Sequence, residues 1–195
     1  MALPDIDDIR RLAPLHFEAR AANARFAAWT LWKLSDGADP DEGKKAIGYT
    51  GSGSVALAEA WRRERSLALE LIVKAVYAQR QEFEAQPRVV RATHDVLALW
   101  GEAGLPKLNQ DDKLRLAVTY QLLQWAGRYA APRAGSDGQS ALIDRYLTKH
   151  HISGTLYFNR MPPFGWDEFD SLYQRANNVM WLLHHDRQHG HAPSA

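Results

Sequence analysis

The stretch Leu67-Ala68-Leu69-Glu70-Leu71-Ile72-Val73-Lys74-Ala75-Val76-Tyr77-Ala78 decides the architecture. Its only polar groups are Glu70, Lys74 and the Tyr77 hydroxyl. Glu70 and Lys74 stand four apart, in the Glu-before-Lys order that favours pairing along a helix, and so form one narrow stripe. The remainder of the cylinder is apolar, and a helix that is apolar nearly all round belongs at the centre of a fold. The helix is expected to start near Ser54, whose hydroxyl can cap it, and to end near Phe83.

The flanking segments supply helices to surround it. Between Asp5 and Lys33, the residues Leu12, Leu15, Ala19, Ala22, Phe26 and Trp29 recur at alternating intervals of three and four, which is one helix face. Pro14 suits the first turn of a helix. Residues 35–54 are rich in glycine and aspartate and predict a long loop. Thr93 is expected to cap a short helix from His94 to Ala103, stopped by Gly104 and Pro106. Asn109 is expected to cap the next, with Asp112 at its third position and Leu114, Ala117, Val118, Leu122 and Trp125 on one face. Residues 141–150 predict a helix, and residues 154–165 an irregular segment around Pro162-Pro163. The last helix, 166–184, carries Phe169, Leu172, Tyr173, Ala176, Met180 and Leu183 on one face. Trp29, Trp61 and Trp125 fall at expected core positions. Period-two alternation of strand length is absent, so sheet content near zero is expected.

The expected fold is therefore all-α: a helical bundle of about five to seven helices around a long central buried helix, in a single domain. At 195 residues the chain is long enough to bury a substantial core. It has no cysteine, which excludes a disulfide framework and thiolate metal sites and fits a reducing, cytoplasmic setting. The opening Met1 to Asp8 is acidic where a secretory signal would be positive. No run approaches the ~20 apolar residues of a membrane span. A formal net charge of +1 is low for a dedicated duplex-DNA binder, which draws most of its affinity from phosphate neutralisation.

Three features in order resemble the HEPN superfamily. Glu70-Leu71-Ile72-Val73-Lys74-Ala75 lies on the central helix, Thr93-His94-Asp95-Val96-Leu97-Ala98-Leu99 opens the next, and a later helix closes with Trp125-Ala126-Gly127-Arg128-Tyr129. The resemblance spans roughly residues 54–133, with the helices at 5–33 and 166–184 packed on that core. Ala130 stands where the family usually has proline. The resemblance implies an α-helical domain tied to nucleotide and RNA biology, often in phage defence or toxin–antitoxin systems. Some such domains are metal-independent ribonucleases acting as dimers, and others are non-catalytic interaction modules. The nuclease members carry an arginine, four to six residues, then a histidine. The arginine would hold the scissile phosphate and the histidine would move the ribose 2′-hydroxyl proton.

Five arginine–histidine pairs have that spacing: Arg10/His16, Arg11/His16, Arg88/His94, Arg145/His150 and Arg145/His151. About two would arise by chance in a chain of this composition. Arg145 with His150, and His151 beside it, is the preferred catalytic candidate because loops flank it. Two residues five apart on a regular helix point away from each other, so convergence there requires the helix to fray or bend. Arg88/His94 is the second candidate.

Gly48-Tyr49-Thr50-Gly51-Ser52-Gly53-Ser54 runs into the central helix, where backbone N–H groups can hold a phosphate. Gly51, Gly53, Ser54 and Arg128 are the candidate nucleotide- or phosphate-binding residues. The run lacks the Lys-Ser/Thr of a Walker loop. His184, His185, Asp186, His189 and His191 cluster at the end of the chain, and His185 and His189 are spaced to share a metal on a helix. No metal site is assigned to them, and no cofactor is called for. Phe158, Phe164 and Trp166 flank the double proline and are candidates for a binding surface.

The leading functional expectation is a non-catalytic HEPN-like module, homodimeric, with an RNA or protein partner. The alternative is an endoribonuclease using Arg145 and His150 across a dimer interface. Val179, Trp181 and Leu182 are surplus apolar residues on the last helix and are expected to mark a dimer or partner surface.

Overall fold

The computed structural model describes residues 13–37, 41–86, 92–126, 143–153 and 156–190. These form helix α1 (Pro14–Gly37), a short α2 (Asp41–Ala46), the long α3 (Gly53–Phe83), α4 (Val96–Glu102) and α5 (Gln110–Gln121), which runs into a wider π turn (Leu122–Ala126). Helical residues 143–146 lead into strands β1 (Thr148–Ser153) and β2 (Leu156–Arg160), and α6 (Trp166–Gln188) follows. The molecule is a helical bundle carrying one two-stranded ribbon.

Helix α3 is the axis. At 31 residues it is about 46 Å long. Every residue from Ala68 to Val73 is buried, with Ala75, Val76 and Ala78 continuing the core. Helix α1 packs antiparallel along it: Trp32 near the end of α1 meets Trp61 near the start of α3, with ring centroids 4.8 Å apart. Helix α6 packs parallel to α3. Arg65 meets the start of α6 at Phe164, while Gln79 and Glu82 meet His184 and Arg187 near its end. Phe169, Leu172, Tyr173, Ala176, Met180 and Leu183 are all buried, as the periodicity of α6 requires.

Several local expectations are corrected. Ser52, not Ser54, caps α3: its Oγ accepts from the Val55 N–H, and Ser54 lies in the first helical turn. Asp95, not Thr93, caps α4 through the Ala98 N–H, while the Thr93 hydroxyl accepts from the Asp95 N–H. Asn109 caps α5 as expected, through the Asp112 N–H at 2.7 Å. The loop expected over 35–54 is shortened by the end of α1 and by α2.

Of the helix expected over 141–150, residues 143–146 are helical and Thr148 already begins β1, which pairs antiparallel with β2, with His150 opposite Phe158 and His151 opposite Tyr157. Ile152, Tyr157 and Phe158 are β-formers without a regular alternation, so tertiary context decides their state.

The largest correction concerns α1. The face carrying Leu15, Ala19, Ala22, Phe26 and Trp29 points outward, with Phe26 71% and Trp29 43% exposed. The face against α3 is centred on Ala21, Ala24 and Ala28, all buried, with partly buried Phe17, Leu31 and Trp32 packed at its two ends. Small residues let two helix backbones approach closely, and the bulky stripe is left on the far side.

Candidate functional site

Three polar constellations and one groove hold the chemistry of the described residues. The first lies midway along α3. The Glu70 carboxylate, 4% exposed, accepts from Lys74 Nζ at 2.6 Å and from His94 Nδ1 at 3.0 Å. A carboxylate only accepts, so the proton of this bond sits on His94 Nδ1. That fixes the tautomer and leaves Nε2 as the basic nitrogen. The side chain of His94 is partly exposed, at the connection that leads into α4. Glu70 and Lys74 form the one polar stripe expected on α3, and the backbone path after α3 brings His94 to it.

The second constellation joins α5 to α6. Buried Asp112 accepts from Arg115 Nη1 at 2.8 Å through one oxygen and from Arg175 Nη2 at 2.6 Å through the other. Arg115 Nε also donates to the Pro163 carbonyl at 2.9 Å. The third clamps the next carbonyl. Arg65 donates to Phe164 O and lies between the Trp61 and Phe164 rings, 4.1 and 3.7 Å from their centroids. Burial, and then the neighbouring charge of Arg62, lowers its pKa to about 9, against the opposing pull of Glu168. Two arginines from different helices thus hold Pro163 and Phe164 ahead of α6. The Glu168 carboxylate steadies the start of α6 by accepting from the Gly165 N–H at 2.8 Å. Phe164 is therefore a half-buried packing residue.

The groove lies between α1 and the start of α6. It has a volume of about 360 Å³ and is lined by Ala22, Arg25, Phe26, Trp29, Trp166 and Asp170. Arg25 Nε and Asp170 Oδ1 pair at 2.6 Å in its wall. Arg25 also lies over the Trp166 and Tyr173 rings at 5.8 and 5.1 Å. Burial, and then Glu18, raises the Tyr173 phenol to about 12. With its charges paired to each other, the groove offers aromatic and aliphatic surface. Phe26 and Trp29 escaped sequence reading because their face was assigned inward; Trp166 was singled out.

The remaining candidates are dispersed. Arg145 is exposed on the turn at 143–146, while His150 and His151 lie on β1. The helical residues end at 146, between Arg145 and the two histidines. Arg88 and Arg128 lie outside the described residues, as do Arg10, Arg11 and His191. Gly51 is covered by the Tyr49 ring, Gly53 is buried in the first turn of α3, and the Ser54 hydroxyl bonds to Ser52 Oγ at 3.0 Å. At the end of α6 the His185 and His189 rings stack with centroids 4.1 Å apart. Among the described residues, no group of three or more His, Asp or Glu side chains is placed to hold a metal ion. No described helix is long and apolar enough to cross a membrane.

Comparisons with models of protein families, with curated proteins and with solved structures find no match to this chain.

Proposed function

We propose that this chain is a HEPN-like, non-catalytic interaction module of the RNA- or nucleotide-associated kind, acting in the cytoplasm in a bacterial defence or toxin–antitoxin setting. The observation that carries the proposal is the α1–α6 groove. Phe26 and Trp29 stand on its rim exposed to solvent, beside Trp166. Aromatic side chains clustered around a concave apolar surface are the usual anchors of a protein contact. The principal buried ionic groups, by contrast, are spent on one another: Glu70 on Lys74 and His94, Asp112 on Arg115 and Arg175. Groups so engaged hold helices together.

One observation favours a second reading, a metal-independent endoribonuclease. A histidine whose Nδ1 proton is held by a buried carboxylate has the tautomer and orientation of a general base. His94 has this through Glu70. In that reading His94 Nε2 takes the ribose 2′-hydroxyl proton and Arg88, six residues earlier, holds the phosphate. The pair of Arg145 with His150 is the other arrangement, with the site completed across a dimer.

An RNA-cleavage assay in EDTA separates the readings. Intact RNA at micromolar protein is the expected result. Cleavage abolished by His94→Ala would move the assignment to the Glu70–His94 pair. Cleavage abolished by His150→Ala instead would move it to Arg145 and His150.

A further inference from the structure

The outward face of α1 has a stricter pattern than a scatter of exposed apolar residues. Leu15, Ala19, Ala22, Phe26, Trp29 and Lys33 follow one another at intervals of four, three, four, three and four. That is the alternation of a heptad seam, sustained over nearly three repeats. All except Lys33 are apolar, and all six are exposed. The opposite face of the same helix, Ala21, Ala24 and Ala28, is already consumed by α3. A helix with a second seam of period 3.5 facing solvent is built to receive another helix.

We propose that α1 pairs with α1 of a second copy of this chain, antiparallel about a two-fold axis level with Ala24. This rests on the interaction-module reading and names its partner. The order of large and small side chains selects both occupant and direction. In an antiparallel pair, alternate seam positions of one helix meet the complementary positions of the other. With the axis level with Ala24, Phe26 stands opposite the partner's Ala22, and Trp29 opposite the partner's Ala19. Leu15 meets the aliphatic stem of the partner's Lys33. Each aromatic thus faces an alanine, and the two-fold repeats every such layer in reverse. Arg25, on the flank of the seam nearest the two-fold axis, is neutralised by its own Asp170 at 2.6 Å and so brings no unpaired charge to the contact. A parallel pair would set Phe26, Trp29 and Lys33 each against its own copy, which crowds two layers and repels in the third.

The groove fits this partner. Its wall charges, Arg25 and Asp170, already neutralise each other at 2.6 Å. An apolar helix edge therefore enters without leaving a buried charge unpaired. Trp166 extends the contact from α1 onto α6. A seam from Leu15 to Trp29 is about 21 Å long, which places the contact at the small end of stable interfaces.

The test is sedimentation of the full chain over a concentration series, with site-specific cross-linking. Dimer forming across the series is expected, with Phe26→Glu raising the dissociation constant at least tenfold while leaving the helical circular-dichroism spectrum unchanged. Because the chain has no cysteine, introduced thiols report register directly. A mixture of Ala22→Cys and Phe26→Cys chains should form a disulfide-linked dimer on oxidation, in greater yield than either variant alone. Chains that stay monomeric at every concentration overturn the proposal and leave the groove to a helix of a different protein. Self-linking of Ala22→Cys alone, with no mixed product, overturns the antiparallel register. Neither result touches the module reading, which falls instead to RNA cleavage.

Discussion

Glu70 on α3 and His94 at the entry to α4 are joined by a 3.0 Å hydrogen bond across 24 residues of chain. Lys74, one turn further along α3, donates to the same carboxylate oxygen at 2.6 Å. The carboxylate is nearly fully buried, so its stability depends on both partners. Glu70→Gln keeps the volume and removes the charge, leaving Lys74 partly buried without a counterion. A loss of about 2–4 kcal/mol is expected in urea unfolding. His94→Ala, at a more exposed side chain, should cost about 1 kcal/mol. Equal losses for the two variants would show that Lys74 does not depend on the carboxylate.

Asp112 is the hinge pin between α5 and α6. Both of its oxygens are engaged, by Arg115 and by Arg175. Asp112→Asn leaves two guanidinium groups around a neutral amide. A loss of about 3–5 kcal/mol follows, or a drop of roughly 10 °C in melting temperature for a chain of this size. Scanning calorimetry measures it. A shift within error would mean that the arginines find water at no cost.

The orientation of α1 is open to a direct comparison. Phe26→Ser changes a side chain that is 71% exposed and should alter monomer stability by less than about 0.5 kcal/mol. Ala28→Leu inserts bulk where α1 meets α3, at a residue with no exposure, and should cost about 1–3 kcal/mol. Denaturant midpoints, read at a concentration low enough to keep the chain monomeric, should rank the two variants in that order. The reverse order would show that the face carrying Phe26 is the packed one.

Tyr173 should titrate above the usual phenol range. Its phenol is raised to about 12, first by burial and then by Glu18. The sign follows from linkage: between the unfolded value of 10.0 and about 12 the folded chain holds a proton that the unfolded chain has lost. The contribution of Tyr173 to stability is whole below pH 10 and declines as pH rises through about 12. Tyrosinate absorbance should show a late-titrating group that Tyr173→Phe removes. The variant should also lose less stability than wild type across that window.

The sequence by itself determined the axis of the fold. Leu67 to Ala78 is apolar on every side except one stripe, and burial is the only arrangement that keeps such a cylinder from water. It also determined the inner face of α6 from Phe169 to Leu183, because a single apolar stripe of period 3.6 has only one face to bury. Periodicity was silent where a helix had two apolar faces. On α1 the pattern of Leu15, Phe26 and Trp29 was the more conspicuous, yet the alanines at 21, 24 and 28 allow the closer approach to α3, and they took the core. The groove at Phe26, Trp29 and Trp166 was hidden by that inversion. Pairings that span the fold had no local signal either. His94 reaches Glu70, Arg175 reaches Asp112, and Arg65 reaches Phe164 only because helices distant in sequence are laid side by side, and the low dielectric between them makes each buried charge seek a partner.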